Sequence, residues 1–115
     1  MTTLQLRASD GNTLSAYVVR PEGTPRGAIV VVQEIFGVNS HVRRVVEQYA
    51  AEGYVAIAPA MFDRFKRDVD LGYDASGIEQ GVALMMRTTN PSTLADLDAA
   101  VTAVSHAGRV GMVGY

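Results

Sequence analysis

The chain has 115 residues, 48% of them hydrophobic, enough for a real core in one domain or a large part of one. A formal charge of -2 and a pI near 5.6, with no cluster of Lys and Arg interleaved with aromatics, disfavour nucleic acid as a partner. The absence of Cys removes disulfides and thiolate metal sites from these residues, and neither a signal core nor a run of ~20 apolar residues is present, so a soluble cytoplasmic protein away from membranes is the expectation.

Leu4, Leu6 and Ala8 alternate with polar residues, Asp10-Gly11-Asn12 supplies a turn, and Leu14, Ala16 and Val18 alternate again. That pattern predicts an opening antiparallel hairpin. After a Pro-rich and Gly-rich loop, Ala28-Ile29-Val30-Val31-Val32 is a continuous β-branched run, the pattern of a strand covered on both faces. Val42, Val45, Val46, Tyr49 and Ala50 fall at helical spacing, with Asn39 or Ser40 as N-cap and Gly53 at the far end. Tyr54-Val55-Ala56-Ile57-Ala58 before Pro59 is a second apolar strand and completes a βαβ unit, hence a parallel pair.

Residues 61–73 are charged and patternless and read as a surface excursion. Ile78, Val82, Met85 and Met86 predict a short amphipathic helix whose Met residues fill gaps in the core. A further helix starts at Asn90-Pro91-Ser92-Thr93, with Thr93 and Asp96 spaced as a capping box and Leu94, Leu97, Val101 and Val104 on one face. Residues 109–115 return as a buried strand. The fold class is therefore α/β, a mostly parallel sheet with an antiparallel N-terminal hairpin, flanked by helices.

Ligands of open α/β sheets bind beyond the carboxyl ends of the strands, so polar residues there are the candidates. Glu34 directly follows the first apolar strand, where partial desolvation favours a carboxyl able to handle protons. The alternative is a structural ion pair with Arg64 or Arg67. Ile35, Phe36 and Gly37 follow, and backbone N–H groups in such a turn suit a developing oxyanion, unless the turn is an ordinary strand-to-helix connection with Phe36 in the core. His41 and His106 sit on helices and read as surface or capping residues. No Asp or Glu is spaced with them for a shared metal, and Gly111 and Gly114 do not form a dinucleotide fingerprint, so no metal or cofactor is expected.

The chain ends at Val113-Gly114-Tyr115 after an apolar strand. These residues match the first positions of a nucleophile elbow, Gly-x-nucleophile-x-Gly. The expectation is that residues 1–115 are the N-terminal part of a single domain, with the nucleophile just beyond Tyr115. The alternative is that residues 110–115 form the last strand of a small domain, in which case a non-catalytic α/β binding module is the competing function.

Val31-Val32-Gln33-Glu34-Ile35-Phe36-Gly37-Val38-Asn39, Gly53-Tyr54-Val55-Ala56-Ile57-Ala58-Pro59, Asp96-Leu97-Asp98-Ala99-Ala100 and Arg109-Val110-Gly111-Met112-Val113-Gly114-Tyr115 resemble, in order and spacing, the N-terminal half of the dienelactone hydrolase family. The resemblance implies an α/β-hydrolase fold and hydrolysis of a small ester or lactone by a Cys-His-Asp triad, without a cofactor. All three triad residues would lie beyond Tyr115, in the remaining C-terminal part of the domain, and the 115 residues alone are expected to be inactive. It further implies that Glu34 switches the nucleophile to its reactive thiolate and that the Ile35 N–H forms part of the oxyanion hole. Phe36 and Phe62 become candidate substrate contacts, Phe62 standing where the family has Tyr. Ile78, with Gly77 and Glu79 beside it, stands where the prototype has an Arg that grips a substrate carboxylate, and Ile cannot supply that contact. A serine carboxylesterase or peptidase of the same superfamily is the alternative within the fold.

Overall fold

The computed structural model describes residues 2–115; Met1, the first residue of the expected domain, lies outside them. Strands β1 (Thr2–Arg7) and β2 (Thr13–Val19) form the hairpin, with Thr2 opposite Val18 and Arg7 opposite Thr13. Alternation in sequence becomes alternation in burial, since Leu14, Ala16 and Val18 point into the core between less buried neighbours. β3 (Ala28–Val31), α1 (Ser40–Ala51) and β4 (Val55–Pro59) make the βαβ unit, in which Ile29 lies opposite Ala56. β5 (Val110–Val113) joins the other side of β3, also parallel, with Val31 opposite Val113. The sheet order β1-β2-β4-β3-β5 is thus mixed, a hairpin edge running into three parallel strands.

The unbroken apolar runs of β3 and β4 are explained by two covers. Val31, Ala56 and Ala58 meet Val42, Val45 and Val46 of α1 on one face. Val30, Val55 and Ile57 face Ala100 and Val104 of α3 (Asn90–Val104) on the other. Each fully buried Val or Ile in these layers contributes about 1.5–3 kcal/mol, so β3 and β4 are the most strongly held strands. Asn39 caps α1, its Oδ1 accepting the Val42 N–H at 3.1 Å.

Four expectations need correction. The 61–73 stretch is not a surface excursion throughout: Met61, Phe62 and Asp63 are buried, and Asp63, Arg64 and Arg67 bond back to the body, while Lys66, Asp68 and Asp70 are exposed. Asp63 accepts the Ser15 N–H at 2.8 Å, and Arg67 reaches the Thr13 carbonyl at 2.9 Å. The helix α2 (Ala75–Met85) does not turn Ile78, Val82 and Met85 inward; all three are exposed, as is Met86, and the buried residues are Gly77 and Gly81. The cap of α3 is Thr89 with Ser92, not Thr93 with Asp96, because Asp96 is buried mid-helix on Arg64, while Leu94 is exposed. Finally β5 is the outer strand, so Gly111 and Met112 are exposed and Val110 and Val113 half-buried rather than fully covered.

Candidate active site

Because β3, β4 and β5 are parallel, their carboxyl ends share one edge of the sheet. Glu34, Ile35 and Phe36 follow β3, Phe62 follows β4 and Tyr115 follows β5, and all five line one cavity of about 490 Å³, together with Met85 of α2. A neighbouring cavity of about 440 Å³, between Tyr17, Arg43 and Asp70, shares Gln33 and Phe62 with it but reaches neither Glu34 nor Tyr115.

The chain after β3 is held as a tight turn from Glu34 to Gly37, closed by the Gly37 N–H on the Glu34 carbonyl at 3.3 Å. Ile35 and Phe36 form its corner. Gln33 braces it: its side-chain amide donates to the Glu34 carbonyl at 3.1 Å, and its Oε1 accepts the Met61 N–H at 2.8 Å, tying the ends of β3 and β4 together. From the other side the 61–73 segment closes in, with the Leu71 N–H on the Phe36 carbonyl at 2.9 Å and a bridge between Gly37 and Asp70. Phe36 packs edge-on against Tyr73, whose hydroxyl accepts from Asn39 at 3.0 Å. Phe36 is therefore partly core, as the ordinary-turn reading has it, and partly cavity wall. Among the described residues no acceptor engages the Ile35 N–H, which leaves it free for a ligand.

Gly37 cannot be replaced cheaply. It has φ +86°, and an added Cβ would overlap the Val69 carbonyl oxygen and lie 2.8 Å from its carbon. Gly37→Ala is expected to lower stability by about 2–3 kcal/mol, read as a lower urea midpoint at unchanged slope; an unmoved midpoint would show that this turn adapts.

Glu34 is 35% exposed, a carboxyl partly withdrawn from solvent as its place at the sheet edge leads one to expect. The expected alternative partners are occupied elsewhere, Arg64 on Asp10 and Asp96 and Arg67 on Asp63. The group that faces Glu34 is His41, with Nε2 at 4.0 Å from Oε1. The His41 ring also approaches the Tyr115 ring edge-on at 6.1 Å. In sequence His41 reads as a surface or capping residue because it does not follow a strand; the first turn of α1 begins just past the Glu34–Gly37 turn and brings it back beside Glu34 and Tyr115. His106 lies in the 3-10 turn before β5, at the opposite end of that strand. Partial desolvation, then a hydrogen bond with Tyr49, raises the Tyr115 phenol above its ordinary value of 10.0, and with 67% of the residue exposed its practical effect is small: the phenol is neutral at pH 7 in either case.

The arrangement offers a carboxylate, an unused backbone N–H and an apolar wall at one sheet edge. Comparison with known proteins then decides the family: residues 14–115 match the dienelactone hydrolase family. The chain belongs to the dienelactone hydrolase family. Over 117 residues it is 33% identical to the carboxymethylenebutenolidase of Pseudomonas putida, covering 97% of this chain and 50% of that protein. A Synechocystis protein provisionally named carboxymethylenebutenolidase is 37% identical over 120 residues, covering 99% and 49%. A Klebsiella pneumoniae crystal structure provisionally named dienelactone hydrolase superposes with a TM-score of 0.76 at 28% identity, covering all of this chain and 50% of that one. The chain thus has the α/β-hydrolase fold of the dienelactone hydrolases and spans about half the length of the relatives it matches. No helix among the described residues is long and apolar enough to cross a membrane.

Proposed function

We propose that these residues supply the Glu34–Ile35 half of a dienelactone-hydrolase active site, and that the full-length protein hydrolyses a small ester or lactone. The observation that carries the reading is the convergence of Glu34, Ile35 and Tyr115 on one cavity. A nucleophile placed immediately after Tyr115, a Cys in this reading, sits at the mouth of that cavity beside Glu34. Glu34 holds the nucleophile's proton balance, so that a thiolate forms and attacks the substrate carbonyl. The Ile35 N–H donates to the oxyanion of the tetrahedral intermediate, with a second donor from beyond the nucleophile. The intermediate collapses as its C–O bond breaks, and the downstream His, oriented by Asp, gives the departing alkoxide a proton, the alcohol leaving from an ester and staying tethered in a lactone. Water deprotonated by the same His then attacks the thioester and releases the acid and the thiolate. Phe36 and Phe62 form the apolar wall against which the acyl group lies.

These residues supply no counter-charge for an acidic substrate: among the described lining residues of the cavity there is no Arg or Lys, and Ile78, at the position of the prototype's carboxylate-gripping Arg, is exposed and does not line it. Any cation that grips a substrate carboxylate would have to come from the other half of the domain. The remaining half of the domain completes the site and covers β5; no cofactor takes part in this reading.

The test is turnover of p-nitrophenyl acetate by the full-length protein, which iodoacetamide is expected to block and a fluorophosphonate to leave running. The reverse pattern of inhibition would make it the serine carboxylesterase or peptidase of the same superfamily. No turnover of any ester or lactone would leave the non-catalytic binding module.

A further inference from the structure

Helix α2 is seated chiefly through its glycines, and the place where it is seated is the turn that carries the candidate oxyanion donor. Its two buried residues are Gly77 and Gly81, one turn apart, while Ile78 and Val82 are exposed and Met85, also exposed, borders the cavity. A Cβ at Gly81 would overlap the Ile35 carbonyl oxygen and come within 3.0 Å of both the Ile35 carbonyl carbon and the Ile35 Cβ. A Cβ at Gly77 would overlap the carbonyl oxygen of Gly72, which does not line the cavity but lies in the chain between Leu71 and Tyr73, both of which touch Phe36. Both glycines therefore exist for backbone contact, Gly81 on the turn itself and Gly77 on the segment beside it.

We propose that Gly81 is a positioning residue for the reaction: α2 closes on the Ile35 side of the turn through Gly81, the segment around Leu71 closes on the opposite side through the Phe36 carbonyl, and this two-sided hold fixes the direction of the Ile35 N–H. The inference rests on the hydrolase reading of the site. Its mechanical basis is covalent. The atoms that Gly81 touches, the Ile35 carbonyl carbon and Cβ, share the Cα with the Ile35 nitrogen, so a methyl that displaces them displaces the N–H as well. The turn has little room to absorb that shift elsewhere, because the Glu34 carbonyl is held by Gln33 and the Gly37 N–H, and the Phe36 carbonyl by the Leu71 N–H. An oxyanion donor acts only when it lies at hydrogen-bond distance from where the charge develops, and a displacement of about 1 Å forfeits much of its effect.

The experiment compares Gly81→Ala with Gly53→Ala in the full-length protein, using p-nitrophenyl acetate and measuring kcat, KM and Tm for each. Gly53, with φ +102° and Arg26 where a Cβ would go, lies just before β4 at the end of the sheet away from the cavity, so both variants should lower Tm. Gly81→Ala is expected to lose about 10- to 100-fold in kcat at nearly constant KM, whereas Gly53→Ala keeps kcat within about threefold, as a strained site with no partner in the turn should. If Gly81→Ala is not recovered folded, Leu71→Pro loosens the same turn from its other side by deleting the N–H on the Phe36 carbonyl, and the same loss of kcat at constant KM is expected. Equal kcat values in Gly81→Ala and Gly53→Ala, or normal kcat in folded Leu71→Pro, overturn the proposal. A full-length protein with no turnover at all would instead sink the hydrolase reading on which it rests.

Discussion

Glu34→Gln in the full-length protein is expected to slow acylation by about 10²- to 10³-fold, because a positioned group that moves a proton typically contributes 10²–10⁴, and to leave folding nearly unchanged. The amide keeps the size and the hydrogen-bonding tip of the carboxylate but neither takes up a proton nor carries the charge that would tune a neighbouring thiol. Little stability goes with it. Glu34 is partly exposed, its nearest ionic neighbour is His41 at 4.0 Å, and an exposed pair of that kind contributes about 0–1 kcal/mol, a Tm change of about 4 °C at most in a domain of roughly twice this length. Single-turnover release of p-nitrophenol together with a thermal melt separates the two quantities. A normal burst rate with a lowered Tm would make Glu34 a structural residue and remove the main support for the proposed role.

The sequence made that placement legible for a specific reason. A strand covered on both faces must be apolar throughout, so the first polar residues after Val32 mark the edge of the sheet, and parallel topology sends every such edge to the same side. Glu34 and Tyr115 could therefore be brought together on paper. What stayed hidden were contacts between residues far apart in the chain, to which local periodicity is blind. Asp63, Arg64 and Arg67 read as solvated because their partners lie in the β1–β2 turn, β2 and α3. Asp96 looked like part of a cap because its spacing from Thr93 suits one, whereas Thr89 and Ser92 form the cap one turn earlier. α2 misled for a third reason: hydrophobicity scores side chains, and this helix packs through the two positions that have none. Gln33 carried a readable signal, a polar residue ending an apolar run, but nothing in sequence said that it would brace β4.

Arg64→Met is the substitution expected to damage folding most. The guanidinium joins three parts of the chain, with Nη1 2.7 Å from Asp10, Nη2 2.7 Å from Asp96 and a further bond from Nη2 to the Ser92 carbonyl at 3.3 Å. Asp96 is only 3% exposed, and without Arg64 its remaining partner is the Asn12 amide at 3.1 Å. Stranding a buried carboxylate costs about 3–5 kcal/mol, a large share of the 5–15 kcal/mol that holds a typical domain together. Replacing both members, as Arg64→Met with Asp96→Leu, removes the stranded charge and should recover most of the loss, since well-packed apolar pairs commonly equal or exceed buried ion pairs. Asp10 adds a pH signature. The hydrogen bond from Arg64, followed by the Asn12 N–H, holds its carboxyl below the ordinary 3.8, so its stabilising share is complete above that value and is lost as pH falls through the lower folded value. Arg64→Met should flatten that acid limb as well as lower the urea midpoint at neutral pH. The effect reaches the site through the same segment, because Arg64 anchors the stretch that supplies Phe62 to the cavity and Leu71 to the Phe36 carbonyl. A single variant as stable as the parent, or a double variant no better than the single, would mean that Asp96 finds another partner and that the segment is held by the burial of Met61 and Phe62 instead.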